Sequence, residues 1–324
     1  MCTSYTAATS AEIVSRKARF SWPGCCVTPR SYEAFPSCSN LRQRLAHIEM
    51  NTLPHARLLS HLRFAATLAF CLGSPQNAAL VAQQLASKEK LTPTFWQRDP
   101  AAGFEDEGRM HCAPTSVSDG LIYLSKAFRM RNLVPGTEHI DQIKLIRELA
   151  EEFHTDPKVG GTNPDKLLTG LQNYISSKDY ELSHLELMTW RGVSNSNEKF
   201  KKGSKPQMPW IQSAVSSENI VVIFNFGWYH ETKDAHIRKG GHWVVVVGSG
   251  PDNEFTVHNP ILSPEKQADN KSVKLTLLEE DFVVNEHSKE TNMKGYYEGE
   301  GSGLPHGDTV TAILDAVIVF GIKK

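Results

Sequence analysis

One cysteine stands where its thiol could act as a nucleophile. Cys112 precedes a helical pattern, and Pro114 fits the first turn of a helix because its missing N–H would have no partner there. Apolar residues then recur every three or four positions, at Val117, Leu121, Leu124 and Phe128. The positive end of a helix dipole lowers the pKa of a thiol and favours the nucleophilic thiolate. The alternative is a small, buried hydrophobic side chain without chemistry.

A histidine and an asparagine far downstream could supply the other groups that thiol chemistry needs. His242 begins one strand pattern, and Asn259 ends the next. A hairpin that pairs Val245 with Thr256 places His242 directly opposite Asn259, on one face of the sheet, with Cβ atoms about 4.5–5.5 Å apart. The asparagine would then accept the Nδ1–H of the imidazole and leave Nε2 for the thiol of Cys112. A pairing shifted by one residue would separate the two side chains.

The elements that must position these residues divide into a helical first half and a strand-rich second half. Helical patterns follow Cys112 and recur at about 137–153, 164–174 and 208–215, and residues 79–91 form either a helix or the end of a leader. Strand patterns occupy 180–190, 219–229, 241–248, 255–259, 272–278 and 311–322. The order of helices and strands, without a linker between them, predicts one α+β domain over residues 80–324.

The first 79 residues have a different character. Residues 1–49 hold four of the six cysteines and no sustained apolar period, which indicates an upstream extension or a disordered tail. From Met50, two arginines precede the apolar run 64–72 and then small residues, so residues 50–79 are predicted to be a secretory signal peptide. The run is too short for a stable membrane anchor. Cleavage would leave Cys112 as the only thiol of a secreted or periplasmic protein.

Composition and the remaining polar clusters indicate few other partners. The 35 Lys and Arg nearly balance 36 Asp and Glu, so the net charge of -1 gives no sign of a nucleic-acid or membrane partner. The acidic residues 105–107 are interpreted as a solvated loop, because no further ligands follow at metal-binding spacing. His230 and His236 match no metal-ligand motif and are interpreted as surface residues. We therefore predict no metal and no cofactor.

Five short segments, in this order and spacing, resemble papain-like cysteine peptidases, and among them the bacterial double-glycine leader peptidases that process bacteriocin precursors. The segments are Cys-Ala-Pro-Thr-Ser at 112–116, Gly-Gly-Thr-Asn-Pro at 160–164, Phe-Gly-Trp-Tyr at 226–229, Gly-Gly-His-Trp-Val-Val-Val-Val-Gly at 240–248 and His-Asn-Pro at 258–260. The resemblance covers roughly residues 91–324. It implies a papain-like fold, in which a central helix carries the cysteine and an antiparallel β-sheet carries the histidine and asparagine.

The same resemblance implies roles for four residues. Cys112 matches the nucleophile, His242 the general base and acid, and Asn259 the residue that orients the imidazole. The family also has a glutamine before the cysteine, whose amide completes the oxyanion hole. The nearest upstream glutamine here is Gln97, which can serve only if residues 99–110 loop out. If Gln97 is a surface amide, then His111, Arg109 or a water molecule must supply the second donor.

These observations predict an exported cysteine peptidase that hydrolyses a peptide or amide bond in a peptide or protein substrate. Two alternatives use the same fold. A transglutaminase-like or cell-wall amide acyl transferase or hydrolase has the same order of cysteine, histidine and polar residue. A catalytically inactive module that binds peptides is favoured by the distance of Gln97 from Cys112 and by Ala113, which stands where the family usually has glycine. The sequence carries no signal for an oligomeric state.

Overall fold

Helices predominate in the first part of the described chain and strands in the second. The computed structural model describes residues 75–323 apart from 159, 234, 287–288 and 306–308, and these residues fall in one compact α+β unit. The predicted extension at 1–49 lies outside the described residues, as does the predicted signal peptide at 50–79 except for its last five positions. Those five positions begin the first helix, which is continuous to Leu91.

Six α-helices occur in the described part of the chain. They are α1 (Pro75–Leu91), α2 (Cys112–Phe128), α3 (His139–Glu152), α4 (Pro164–Ser177), α5 (Met208–Val215) and α6 (Pro264–Asp269). The helices predicted after Cys112 and at 137–153, 164–174 and 208–215 are confirmed. The start of α4 follows from its sequence: Pro164 occupies the first turn, and the Asn163 side chain accepts the N–H of Lys166 at 2.9 Å. None of the described helices combines the length and apolar character that crossing a membrane requires.

Six of the strands close into an antiparallel barrel. The strands are β1 (Glu181–Thr189), β2 (Lys201–Gly203), β3 (Ile220–Glu231), β4 (His236–Ser249), β5 (Glu254–His258), β6 (Ser272–Leu277), β7 (Val283–Glu286), β8 (Lys289–Asn292), β9 (Tyr297–Gly301) and β10 (Val310–Lys323). The barrel runs β3–β4–β5–β6–β9–β10 and returns to β3. All six predicted strands are confirmed. The sequence missed the short strands β2, β7 and β8 outside the barrel and β9 within it. The β9 residues Tyr-Glu-Gly-Glu-Gly show no apolar alternation.

Strands β3 and β4 form a wall between two hydrophobic cores. Val222, Phe224 and Phe226 of β3 fill the barrel, whereas Val221 and Ile223 pack with α2 and its neighbouring helices. The run of valines in β4 divides in the same alternating way, which is why both faces of this strand are apolar.

Helix α2 lies unusually close to this wall. A Cβ added to Gly120 would come within 2.5 Å of the Val221 Cγ1 atom, so a side chain at this position would push the helix away from β3. The close contact fixes the axis of α2, and therefore the position of Cys112 at its N-terminus, against the two strands.

The hairpin of β4 and β5 is present, but the predicted register is wrong by two residues on the His242 side of a bulge and by three on the side of the turn. Val245 pairs with His258 rather than with Thr256, and a bulge lies between Val246 and Gly248. Because side chains alternate with a period of two, an even shift leaves the faces unchanged. Asn259 therefore remains on the face that carries His242, offset along the strands instead of directly opposite.

Candidate active site

The first turn of α2 is joined directly to β4, the strand that carries the histidine. The Ser116 hydroxyl donates to the Trp243 carbonyl at 3.0 Å. The Trp243 indole N–H donates to the Thr162 carbonyl at 2.9 Å, just before α4. One residue of β4 thus links two helices and brings His242, its neighbour in the chain, to the N-terminus of α2.

Asn259 fixes the imidazole of His242. Its Oδ1 atom accepts the Nε2–H of His242 at 2.5 Å and also accepts the backbone N–H of Ile261 at 3.1 Å. Its Nδ2 atom donates to the Ser302 carbonyl at 2.5 Å, so both ends of the amide are held. The predicted hydrogen bond between His242 and Asn259 is present, but the prediction that Nδ1 is the donor nitrogen is wrong. The asparagine accepts from Nε2, and Nδ1 is the nitrogen that remains for the thiol.

Two further side chains from β3 complete the surroundings of His242. The Trp228 indole stacks on the imidazole, with ring centroids 6.0 Å apart and planes inclined by 17°. Asn225 donates from Nδ2 to the His242 carbonyl at 3.2 Å, and its Oδ1 atom is buried without a hydrogen-bond partner. The sequence analysis noted Phe-Gly-Trp-Tyr at 226–229 as part of a motif but gave no role to Asn225. Its position in an otherwise apolar strand was the available signal.

Cys112 and His242 line a single cavity of about 560 Å³. Arg109 and Met110, which precede the cysteine, form one side of it, and the glycines 160–161 and 240–241 form others. Because glycines have no side chain, they leave backbone groups of the cavity accessible to a bound peptide. The cavity therefore has the size and the polar backbone lining that a short stretch of peptide requires.

Burial dominates the ionisation of both reactive groups. It raises the pKa of the Cys112 thiol to about 11, although backbone N–H groups of Trp243, Ala113 and Cys112 itself oppose the shift. It lowers the pKa of His242 to about 4, against the opposing effect of Asn259. The sequence predicted a lowered thiol pKa from the helix dipole, and that prediction is wrong for the resting site. Burial therefore favours a neutral thiol and a neutral imidazole in the resting site.

Gln97 does not line the cavity and instead holds the loop that leads to the cysteine. Its side chain is buried, and its Nε2 atom donates to the carbonyls of Gly108 and Arg109 at 2.9 and 2.8 Å. Its backbone N–H donates to the Pro260 carbonyl at 2.8 Å, next to Asn259. Residues 99–110 do loop out, as the sequence required. Both amide protons of Gln97 are used by carbonyls, however, so neither is directed at an oxyanion in this arrangement.

The other histidines lie outside this arrangement. His258 is buried on the opposite face of β5 from Asn259, as predicted, and its Nδ1 lies 2.9 Å from the Pro93 carbonyl oxygen. His236 stacks on Phe282, and His230 is partly exposed on β3. No group of three or more potential metal ligands occurs among the residues that the structure describes.

A buried carboxyl group lies on α2 two turns after Cys112, and its burial makes the stability of the protein depend on pH. Asp119 is buried, and its Oδ1 accepts from the Gln142 side chain at 2.6 Å, whereas its Oδ2 has no hydrogen-bond partner. Burial raises the pKa of Asp119 well above its usual range, although hydrogen bonds from Gln142 and the Phe95 backbone lower it. The folded state therefore holds this proton more tightly than the unfolded state does.

We expect Asp119→Asn to stabilise the protein at pH 8 and to lose this advantage towards pH 4. Above the unfolded pKa, the unfolded state ionises freely while the folded state resists, so Asp119 destabilises the wild-type protein increasingly as pH rises. Each unit of pKa elevation contributes about 1.4 kcal/mol to that difference. Urea denaturation at several pH values measures it. Asp269→Asn, at an exposed position, is the matched control and should leave the pH dependence unchanged. An equal effect of Asp119→Asn at pH 4 and pH 8 would contradict the prediction.

A scan against models of known protein families found no match to this chain, and a search of curated proteins found no similar protein. The function therefore has to be argued from the site itself.

Proposed function

We propose that the chain is a papain-like cysteine peptidase that hydrolyses a peptide or amide bond with Cys112, His242 and Asn259. One observation carries the proposal: an imidazole held by an asparagine shares a cavity with a thiol at the start of a helix. Nucleophile, base and orienting group in this order are the parts that covalent acyl transfer needs. The closed antiparallel barrel beside the cysteine-bearing helix supports the same fold.

Each group has a defined part in the reaction. Nδ1 of His242 takes the thiol proton as the Cys112 sulfur attacks the substrate carbonyl, which yields a tetrahedral oxyanion and an imidazolium. The backbone N–H groups at the start of α2 stabilise the oxyanion. The imidazolium then protonates the leaving amine, and a thioester with Cys112 remains. A water molecule, deprotonated by His242, hydrolyses the thioester and restores the thiol. The predicted contribution of Gln97 would require one of its two present hydrogen bonds to break.

A second candidate is the non-catalytic peptide-binding module. It is favoured by the burial of Cys112, by the raised pKa of its thiol and by the engagement of both Gln97 amide protons. The same cavity would hold a peptide without cleaving it. The reactivity of the thiol separates the two functions, because binding alone needs no proton transfer to His242.

The test is alkylation of the full-length chain by iodoacetamide at pH 6, followed by peptide mapping. A model thiol such as glutathione is only about 0.3% ionised at this pH. A thiol whose proton passes to Nδ1 of His242 as the sulfur attacks does not depend on prior ionisation, so we expect Cys112 to react at least about tenfold faster than glutathione. Peptide mapping distinguishes Cys112 from the five other cysteines of the chain.

A second measurement connects reactivity to hydrolysis. We expect a mixture of unstructured peptides to be cleaved by the wild-type chain and not by Cys112→Ala, with new termini read by mass spectrometry. Incorporation of an added amine into the products would instead indicate acyl transfer of the transglutaminase type. Alkylation of Cys112 slower than that of glutathione, together with intact peptides, would contradict the proposal and support the binding module.

A further inference from the structure

The cavity around Cys112 is strongly cationic, although the chain as a whole is nearly neutral. Five basic residues line it, and none of the lining residues is acidic: Arg109, Lys166, Arg191, Arg238 and Lys239. The net charge of -1 results from 35 basic and 36 acidic residues distributed over the full sequence. Positive and negative charges therefore balance over the whole chain but not at the cavity, whose positive charge the composition does not reveal.

Three of these cations have no carboxylate partner among the described residues. Arg238 is neutralised by Asp315, whose Oδ2 atom lies 2.7 Å from the arginine Nε and whose side chain is fully buried. Arg109, Lys166 and Lys239 form no such pair within the described part of the chain, where the Lys166 ammonium group donates to the His154 carbonyl at 3.1 Å. Their charges are therefore available to a ligand in the cavity.

The three residues reach the cavity from separate elements. Arg109 belongs to the loop before Cys112, Lys166 to the first turn of α4, and Lys239 to β4 just before His242. A chain lying across the thiol would meet cations on more than one side of the reacting bond. Such a distribution selects for anionic groups spread along a ligand rather than for a single compact charge.

We propose that the site selects acidic peptides, with Asp or Glu side chains on both sides of the bond that Cys112 attacks. This inference rests on the proposed function and names its substrate class. Met110, Trp228 and Ile261 also line the cavity and supply apolar contacts for the methylene groups of such side chains. A nucleic acid fits less well, because a cavity of about 560 Å³ holds only a few residues and lacks an extended basic track.

The first test uses two alkylating reagents of similar size and different charge. Iodoacetate is an anion and iodoacetamide is neutral, so the ratio of their rates at Cys112 reports the local potential whether or not the protein cleaves peptides. Relative to the same ratio for glutathione, we expect an increase of about tenfold at 20 mM salt. The increase should fall to less than about threefold at 0.5 M salt, because ions screen exposed charges.

Charge-reversal variants identify the residues responsible. Arg109→Glu combined with Lys239→Glu should lower the iodoacetate-to-iodoacetamide rate ratio to that of glutathione. Lys126→Glu is the matched control, because this exposed lysine lies on α2 about 21 Å from Cys112 and should leave the ratio unchanged. Urea denaturation shows whether each variant still folds.

The second test uses peptidyl ketone inhibitors that carry Glu-Glu, Gln-Gln or Lys-Lys next to the reactive group. We expect modification of Cys112 to be fastest with Glu-Glu and slowest with Lys-Lys, and the order to reverse in the double variant. An iodoacetate-to-iodoacetamide rate ratio at Cys112 equal to that of glutathione, or a wild-type preference for Lys-Lys, would overturn the acidic-substrate inference. An unreactive Cys112 with every reagent would instead overturn the proposed peptidase function.

Discussion

Replacing His242 with glutamine is expected to slow alkylation of Cys112 by about 10³- to 10⁴-fold at pH 7. The buried thiol has its pKa raised to about 11, so without a base only about one molecule in 10⁴ carries a thiolate at pH 7. In the wild-type protein Nδ1 of His242 takes the thiol proton in the same step in which the sulfur attacks, so the reaction does not depend on a thiolate formed beforehand. Glutamine is chosen because its amide can still donate to Asn259, so the variant loses the base and keeps the hydrogen bond.

The pH dependence of alkylation should show the same difference. The pKa of His242 is lowered to about 4, and only the neutral imidazole accepts a proton. The wild-type rate should therefore rise with pH around a midpoint near 4 and stay level to about pH 9. In His242→Gln the rate should increase about tenfold for each pH unit, up to the thiol pKa near 11.

The matched control is His258→Gln. His258 is equally buried, but it faces away from the cavity and lies against the Pro93 carbonyl. We expect this variant to keep the wild-type rate and its plateau, which would show that losing a buried imidazole is not enough to slow the reaction. A wild-type rate that rises with hydroxide through neutral pH would contradict a base role for His242.

The sequence predicted which residues of the site pair, but it did not predict which atoms form the hydrogen bond between them. The pairing of His242 with Asn259 survived a register error, because the error on the His242 side of the bulge was an even number of residues and faces alternate with a period of two. Sequence patterns specify faces but do not specify which imidazole nitrogen meets which neighbour. That choice depends on the offset between the two residues along β4 and β5, and the observed bulge near Gly248 could not be read from the valine run.

Two other differences come from properties that depend on the whole fold. The thiol pKa was predicted from the helix dipole alone, whereas burial by β4 and the surrounding loops has the larger effect. Strand β9 has no apolar alternation, and it is ordered because β6 and β10 provide hydrogen bonds on both of its edges. The net charge of the whole chain does not reveal the cationic cavity, because its basic residues come from a loop, a helix and a strand that meet only after folding.

Replacing Gly108 with alanine is expected to destabilise the protein by roughly 3–5 kcal/mol. Gly108 has a φ of +72°, and a Cβ at this position would lie 1.8 Å from the Gln97 carbonyl oxygen. Since two backbone segments cannot occupy this space, the loop must move away from Gln97. The hydrogen bonds from the Gln97 amide to Gly108 and Arg109 would then break and leave buried polar groups unsatisfied. Urea denaturation measures the loss of unfolding free energy.

Gly103→Ala is the control that separates the effect of a steric clash on stability from the effect of a positive φ. Gly103 belongs to the same loop and also has a positive φ, of +57°, but its added Cβ would meet no atom closer than 4.0 Å. We expect this control to lose only about 1 kcal/mol. Because Gly108 lies four residues before Cys112, the displaced loop should also slow alkylation of the thiol in the folded protein, whereas Gly103→Ala should not. Equal stability of the two variants would mean that the Gln97 contact does not hold the loop. Reduced stability with unchanged alkylation would mean that the position of the thiol depends on α2 and β4 alone.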